Sequence, residues 1–359
     1  MPTAAEARSP SLVLSGTPRD RGRAHGETLR EAVQHLIAAW EDDIGREVGM
    51  GLNAYLAQFE ADTDFLPAIQ RFTPDLLEEV HGIAEGASIP IRVGLALQCM
   101  DEHWTHLEQM QCRRRNKCST FALAPSRARP TYLGQNMDLP KFLDAMQALI
   151  AIVEDSGARQ RVVTYPGFLG LFGLNDIGLG VCVNALSQLC SCPRGLPVAY
   201  VVRGTLEHAT TAAAGSWLAG LPHASGQNYL IGDADGFADF ECCAKGVVRC
   251  DATAHLAHTN HPLANPWLGE AYVGWDSDRS RADEAHARTF RRLELLEEGL
   301  RREPAGVDSL ARLLGSVSHP VDGAYPTFTF CSAVLELGRP PRMHLALGPA
   351  TTPCRTFRV

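Results

Sequence analysis

The sequence predicts an α+β fold, and three observations lead to this prediction. Up to about residue 117, apolar residues recur at the spacing of amphipathic helices. Beyond residue 117 the pattern changes to short apolar runs bounded by turn residues, which is typical of strands. No internal repeat is visible, so a layered α+β arrangement is favoured over repeating strand–helix–strand units.

Length and composition indicate an ordinary globular protein. The chain has 359 residues, of which 45% are hydrophobic and 21% charged, so disordered and fibrous classes are excluded. Its net charge of −8 disfavours a dedicated nucleic-acid-binding protein. No apolar run is long enough for a transmembrane helix, and the first residues lack the features of a signal peptide. We therefore expect a cytoplasmic protein whose 11 cysteines are mostly reduced.

The first part of the chain is predicted to contain three helices, over residues 27–42, 74–87 and 91–105. The second begins with Thr-Pro-Asp at 73–75, in which a hydroxyl N-cap precedes a proline at the first helical position. The basic stretch at 112–117 then predicts an exposed loop, either a solvated linker or a segment held open for processing.

The second part of the chain is predicted to consist mainly of strands with three helical segments between them. The predicted strands span residues 118–124, 131–138, 148–153, 160–164, 179–185, 227–232, 237–243, 247–250, 327–337 and 342–347. The predicted helical segments span residues 197–219, 278–300 and 306–316.

One cysteine is a candidate nucleophile by its position. Cys118 begins a predicted strand directly after a polar loop, and Asp138 ends the next strand. If the two strands form a hairpin, Asp138 lies near Cys118. The alternatives are a packing cysteine and an ordinary strand-end carboxylate. Asn184 lies inside an apolar strand, where a buried amide needs hydrogen-bond partners.

A metal site is a further alternative. His258 and His261 are three residues apart, and vicinal or near-vicinal cysteines occur elsewhere in the chain. The histidine spacing does not match the zinc-binding HExxH pattern. A zinc-dependent hydrolase that uses these two histidines stays open as a minor hypothesis, and the preferred prediction includes no metal and no cofactor.

Taken together, several short motifs resemble one family along nearly the whole chain. They are Ser-Gly-Thr-Pro-Arg-Asp-Arg-Gly-Arg-Ala-His-Gly at 15–26, Gly-Ile-Ala-Glu-Gly-Ala at 82–87, Cys-Ser-Thr at 118–120, Gly-Gln-Asn-Met-Asp at 134–138, Gly-Leu-Asn-Asp-Ile-Gly-Leu at 173–179 and His-Thr-Asn-His at 258–261. In order and spacing they resemble the isopenicillin-N and 6-aminopenicillanate acyltransferase-like group of cysteine Ntn-hydrolases. The chain departs from that pattern at Lys117, often Gly in the family, at Met137, commonly aromatic, and at Tyr165.

The resemblance implies a four-layer αββα sandwich made as a precursor. Residues 1–117 would form a helical pro-segment and residues 118–359 the catalytic chain. Cleavage between Lys117 and Cys118 would leave Cys118 as an N-terminal nucleophile whose own α-amine serves as base. The two chains would stay together as a heterodimer.

The resemblance also implies roles for further residues. Asp138 would hold the α-amine, and Asn260 would supply an oxyanion-hole donor. Asn136 and Asn184 would be further donors or substrate-orienting groups, and Tyr165 would border the substrate. The wider superfamily uses an active-site arginine. The sequence does not single one out, because the arginines of the helix at 278–300 fit a solvated face paired with acidic neighbours.

The predicted function is that of an autoprocessed amidase or acyltransferase. It would act on a small N-acyl amine or amide through a thioester, with water preferred over an amine as acceptor. The expected partner is therefore a small-molecule amide, and neither nucleic acid nor a membrane is expected. The alternative from another class is an unprocessed, catalytically silent binding protein on the same scaffold.

Overall fold

The computed structural model of the protein describes residues 11–110, 117–252, 254–272, 284–302, 306–323 and 325–359. Most of the predicted basic loop, at 112–116, lies outside the described residues, as do Arg279 and Arg281 of the predicted arginine-rich helix.

The described strands form two sheets. In chain order they are β1 (Ser11–Ser15), β2 (Lys117–Leu123), β3 (Tyr132–Pro140), β4 (Ala148–Val153), β5 (Arg159–Thr164), β6 (Phe172–Asn175), β7 (Gly180–Ala185), β8 (Gln227–Asp233), β9 (Gly236–Cys243), β10 (Gly246–Cys250), β11 (His255–His258), β12 (Thr327–Glu336), β13 (Arg342–Ala346) and β14 (Arg355–Arg358). The larger sheet has the order β1-β4-β5-β6-β7-β8-β9-β10, and the smaller has the order β11-β2-β3-β12-β13-β14. Neighbouring strands are antiparallel except for the parallel pair β1 and β4.

Among the described elements, seven helices lie between β1 and β2 in the chain, and further helices follow among the later strands. In chain order they are α1 (Pro18–Thr28), α2 (Arg30–Val48), α3 (Leu52–Asp62), α4 (Leu66–Phe72), α5 (Pro74–Ala87), α6 (Ile91–Leu97), α7 (Met100–Gln109), α8 (Val198–Thr205), α9 (Thr211–Ala219), α10 (Glu284–Arg301) and α11 (Val307–Gly315). Helix α9 packs against β8, β9 and β10 of the larger sheet, and α10 and α11 pack against the smaller sheet.

The two faces of β2 show why the arrangement has four layers. Because side chains alternate along a strand, Cys118 and Ala122 join the core between the sheets, where Thr120 reaches across to the larger sheet. Phe121 and Leu123 point the other way and pack with the apolar residues of α10 and α11. The predicted α+β, four-layer αββα fold class is confirmed.

The N-terminal segment differs from a purely helical one. Its first described element, β1, is a strand, and it pairs with β4 at the edge of the larger sheet. Only Leu12 and Leu14 of β1 are buried, so the short alternating run did not stand out in the sequence.

Two predicted helices are each divided in the structure. The segment 91–105 is interrupted at Gln98, whose side chain binds the Gly167 carbonyl and the Leu169 amide. The segment 197–219 is interrupted before Thr210, which caps α9 by accepting a hydrogen bond from an amide of its first turn. The chain is thus held by Gln98 where the first segment breaks, and by Asn175 Nδ2, which donates to the Leu206 and His208 carbonyls, where the second breaks.

Candidate active site

Cys118 borders a small cavity between the two sheets. The cavity has a volume of about 20 Å³, which is room for a single water molecule. Asp101 and Trp104, on α7 of the N-terminal segment, form part of its wall. The other lining residues are mostly apolar: Met137, Asp138, Leu139, Phe168, Gly170, Leu171, Val183, Ala185, Val198 and Gln227.

The Cys118 thiol is buried and uncharged in the uncleaved chain. Its Sγ lies 3.6 Å from Met137 Sδ. Burial, and then the nearby Asp138 carboxylate, raise the pKa of the thiol to about 12, and the positive charge of Arg292 offsets only part of this rise. A base is therefore needed before this sulfur can act as a thiolate near neutral pH.

The backbone of Cys118 is held from both sides. Its N–H donates to Asn260 Oδ1 at 2.6 Å, and its carbonyl accepts from Arg292 Nη1 at 2.7 Å. Arg292 Nη2 also donates to Asn260 Oδ1, at 2.8 Å, and Nη1 to Ser119 Oγ, at 2.7 Å. Asn260 Nδ2 in turn donates to the Ala185 carbonyl. Asn260 thus faces the Cys118 nitrogen through its oxygen atom.

The sequence prediction missed Arg292. It is buried, and burial lowers its pKa, whereas its neighbour Arg291 is exposed and pairs with Glu294. The interpretation as a solvated face is wrong for Arg292. Position 292 lies four residues before the buried Leu296, so it is on the apolar stripe of α10. An arginine on an apolar stripe is the signal that could have identified it.

The predicted hairpin does bring Asp138 close to Cys118. Strands β2 and β3 pair so that Cys118 is opposite Met137 and Lys117 is opposite Asp138. Asp138 is fully buried and accepts a hydrogen bond from Thr329 Oγ1 at 2.7 Å. Its second oxygen lies 3.8 Å from His319 Nε2. The carboxylate is thus fixed beside Cys118.

Asn184 is close to the cavity, whereas Asn136 is not. The Asn184 amide accepts from Thr120 Oγ1 at 2.7 Å and donates to the His258 carbonyl. Asn136 points to the opposite face of its sheet, because its Nδ2 donates to the carbonyl of Leu314 in α11. The structure therefore does not bring Asn136 to the cavity.

Tyr165 lies one layer behind the cavity wall. It is buried and stacks on Phe168, with ring centroids 4.4 Å apart, and Phe168 itself lines the cavity. Burial, and then the carboxylates of Asp101 and Glu102, raise the pKa of its phenol. Tyr165 shapes the wall without bordering the cavity.

The two histidines proposed as metal ligands have separate surroundings. His261 packs against Phe290 with its ring tilted by 59° and the ring centroids 4.3 Å apart. His258 instead lies in a buried group with Asp239 and Cys250, whose ligand atoms are all within 4.8 Å of one another. Both ring nitrogens of His258 are already engaged, Nδ1 with the Thr259 carbonyl and Nε2 with Glu241, each at 2.8 Å. Because no ring lone pair is free, this group does not fit a metal ion.

Comparison with known proteins identifies the relatives of the chain. The family model described as acyl-coenzyme A:6-aminopenicillanic acid acyl-transferase matches residues 125–292. The chain is 25% identical over 261 residues to the 40 kDa form of acyl-coenzyme A:6-aminopenicillanic-acid-acyltransferase from Emericella nidulans. This match covers 71% of this chain and 70% of that protein. Over these ranges the chain is similar to this acyltransferase family. The matched range contains Asp138 and Asn260 and ends at Arg292, whereas Cys118 precedes it.

Two solved structures are also similar to the chain. A conjugated bile acid hydrolase from Clostridium perfringens is 13% identical, with a TM-score of 0.46, and the match covers 67% of this chain and 97% of that one. Penicillin V acylase from Agrobacterium tumefaciens is 14% identical, with a TM-score of 0.44, and the match covers 67% and 86%.

The resemblance predicted from the sequence motifs is confirmed. So is the prediction of an enzyme, because the family model and the curated relative are both those of an acyltransferase. Within the described residues, no helix has the length and apolar character needed to cross a membrane.

Proposed function

We propose that the protein cleaves itself before Cys118 and then hydrolyses small N-acyl amines through a thioester on that residue. The observation that carries the proposal is the hydrogen bond of 2.6 Å between the Cys118 N–H and Asn260 Oδ1. This nitrogen would become the α-amine of the mature enzyme, so the amine's partner is already in place. The nearby thiol lines a buried cavity, as a nucleophile protected from bulk water should.

Self-cleavage requires a shift of the acyl group from nitrogen to sulfur. The Cys118 sulfur attacks the Lys117 carbonyl carbon, the bond from that carbon to the Cys118 nitrogen breaks, and the thiol proton ends on the nitrogen. Water then breaks the thioester, which frees both the carboxyl group of Lys117 and the thiol. The new α-amine has an ordinary pKa of about 7.7–8.0, so it can accept the thiol proton in each turnover.

The neighbours of Cys118 have roles that match this chemistry. Asn260 would orient the α-amine through Oδ1 and offer an N–H of Nδ2 to a developing oxyanion. Asp138 would balance the charge of the α-ammonium group. Asn184 would hold the backbone near Asn260, and Tyr165 would support the wall against which the acyl group packs.

The lining of the cavity favours an apolar acyl group, because it is mainly aliphatic and aromatic. The volume of about 20 Å³ in the intact chain holds one water molecule, the acceptor that we propose, and the cavity must widen after cleavage to admit the acyl group. We propose hydrolysis of N-acyl amines with small apolar acyl groups. Adding hydroxylamine to the reaction tests the acceptor, because a dominant hydroxamate product would contradict the preference for water. The cytoplasmic location stays a prediction.

The deciding experiment is the intact mass of freshly purified protein. Cleavage before Cys118 separates 117 of the 359 residues, so the 38.9 kDa chain should yield fragments of about 13 and about 26 kDa. Cys118→Ala should stay whole and inactive. Cys331→Ala is the matched control, since Cys331 is a buried thiol paired with Met137 on the next strand, and this variant should still cleave.

A wild-type chain that stays whole and releases no amine from N-acyl amines would overturn the proposal. That result would favour the silent binding protein on the same scaffold.

A further inference from the structure

A buried carboxylate lies behind the segment that carries Asn260. Glu241 on β9 and His258 at the end of β11 are both inaccessible to solvent, and their Oε1 and Nε2 atoms are 2.8 Å apart. Burial alone would raise the pKa of Glu241. The contacts with His258 and with backbone N–H groups outweigh burial, and the pKa lies below its ordinary value. The carboxylate is therefore charged and fully hydrogen-bonded.

Glu241 binds the chain on both sides of Asn260. His258 precedes Asn260 by two residues. On the other side, the N–H of Leu263 donates to Oε1, and the N–H groups of Ala264 and Asn265 donate to Oε2, the latter two at 2.9 and 2.6 Å. One side chain thus holds both ends of the segment 258–265.

The position of this segment determines where the Asn260 side chain lies. Asn260 Oδ1 is 2.6 Å from the Cys118 nitrogen, a distance that a small shift of the backbone would change. Other contacts also support the segment, because Thr289 Oγ1 accepts from the Asn260 N–H and Gln188 donates to its carbonyl. Among the described contacts, Glu241 is the group that joins the two ends of the segment.

Glu241 itself does not border the cavity at Cys118. Its polar surroundings are His258 and, near that ring, Asp239 and Cys250. Neither carboxylate oxygen of Asp239 makes a hydrogen bond of normal geometry among the described residues, although Asn228 and Cys250 come close enough to influence its pKa. Since no described contact links Glu241 to the reacting atoms, its effect must pass through the segment 258–265.

We propose that Glu241 is a positioning residue that holds the segment 258–265 so that Asn260 meets the nitrogen of Cys118. The proposal rests on the proposed function, in which that nitrogen becomes the catalytic amine. In metal and catalytic sites, side chains that contact the metal or substrate are often oriented by hydrogen bonds to a second group behind them. That second group affects activity although it does not touch the substrate, and Glu241 has this position behind the segment 258–265.

Glu241→Gln is the informative variant. Glutamine has nearly the same shape, but it offers one acceptor oxygen and a donor amide in place of two acceptor oxygens. At least one of the N–H groups around Glu241 then loses its acceptor. Glu336→Gln is the matched control: Glu336 also pairs with a histidine, His344 at 3.0 Å, but on β12 and outside the segment 258–265.

Two readouts separate positioning from general stabilisation. In the cleaved enzyme, we expect E241Q to lower kcat by about 10²-fold, because a displacement of roughly 1 Å has effects of that size, and to leave KM within about twofold. In the double variant E241Q/Asn260→Ala, we expect kcat to be less than about twofold lower than in Asn260→Ala alone, because Glu241 acts through Asn260. The proposal would be overturned if the kcat reductions of the two single variants multiplied in the double variant, or if E241Q kept the kcat of the wild type.

Hydrogen exchange tests the same proposal without relying on activity. The amides of residues 260–265 should exchange at least about tenfold faster in E241Q than in E336Q or the wild type. If the wild type neither cleaves nor hydrolyses amides, the proposed function fails, and faster exchange still shows that Glu241 holds the segment. Unchanged exchange overturns the positioning role whatever the enzyme does.

Discussion

Arg292 connects three groups at Cys118, the residue that we propose as the nucleophile. Its guanidinium donates to the Cys118 carbonyl, to Ser119 Oγ and to Asn260 Oδ1, all within 2.8 Å. These bonds use the fixed fork of an arginine, which a lysine ammonium on a flexible stem does not reproduce. Its charge also favours the thiolate form of Cys118 against the opposing effects of burial and Asp138.

We therefore expect Arg292→Lys to slow self-cleavage and amide hydrolysis by about 10²-fold or more, a loss typical of a missing charge-stabilising donor. Single-turnover cleavage followed by gel, and initial rates of amine release, would measure this. Arg291→Ala is the control, because the exposed Arg291 contacts only Glu294 among the described ion pairs, and its rates should match the wild type. Wild-type rates in Arg292→Lys would show that the guanidinium fork has no role.

The helices α1 and α5 are in unusually close contact. Gly22 and Gly26 of α1 face Gly82 and Gly86 of α5, each pair of glycines being four residues apart and so on one side of its helix. A Cβ added to any of the four would meet backbone atoms of the other helix at 2.3 Å or less. Backbone atoms cannot move aside as a flexible side chain can, so this contact requires glycine.

Gly26→Ala or Gly82→Ala should accordingly destabilise the protein by more than about 3 kcal/mol, beyond the usual effect of overpacking, because two helices must separate. Urea unfolding of the uncleaved Cys118→Ala chain measures this without interference from processing. Gly45→Ala in α2 is the control: nothing lies within 4 Å of its added Cβ, and alanine should stabilise the helix by about 0.5–1 kcal/mol. Equal stability in all three variants would contradict the close contact.

The N-terminal segment and the remainder of the molecule share one core. Strand β1 pairs with β4, and one apolar cluster contains residues from both sides of Cys118. A buried ion pair also joins them, with Arg203 Nη1 of α8 2.8 Å from Glu79 Oε1 of α5. Hence a cut before Cys118 should leave the small chain in place as part of a heterodimer.

Breaking the buried ion pair should loosen this association. We expect Arg203→Met to lower the free energy of unfolding by about 3–5 kcal/mol, because Glu79 would keep a buried charge without its main partner. Gel filtration of the cleaved enzyme should show the wild-type chains eluting together and the Arg203→Met chains separating at lower urea. Arg19→Ala, which removes only exposed pairs with Glu78 and Glu85, is the control and should behave as the wild type. Equal urea midpoints for both variants would contradict the role of the pair.

Lowering the pH should also weaken the ion pair between Arg203 and Glu79 and so destabilise the folded state. Burial acts to raise the pKa of Glu79, but Arg203 and Arg21 outweigh it, and the pKa lies below its ordinary value. A carboxylate with a lowered pKa stabilises the folded state above its unfolded pKa, and this contribution is lost as the pH falls.

The sequence by itself determined the class of the fold and the pair of strands around Cys118. The change of pattern near residue 117, the apolar spacing of α5 and the apolar runs of β4 and β7 are local properties, so they could be read without the structure. The proximity of Asp138 to Cys118 also followed from local order, because two successive strands formed the expected hairpin.

Only the tertiary structure decided which distant side chains meet at Cys118. Asn136 and Met137 are neighbours in sequence, yet a strand sends them to opposite faces, and only Met137 lines the cavity. Arg292 is 174 residues from Cys118 and joins it only because α10 packs on β2, the strand that carries Cys118. Such contacts depend on how the layers are stacked, which no local pattern of residues encodes.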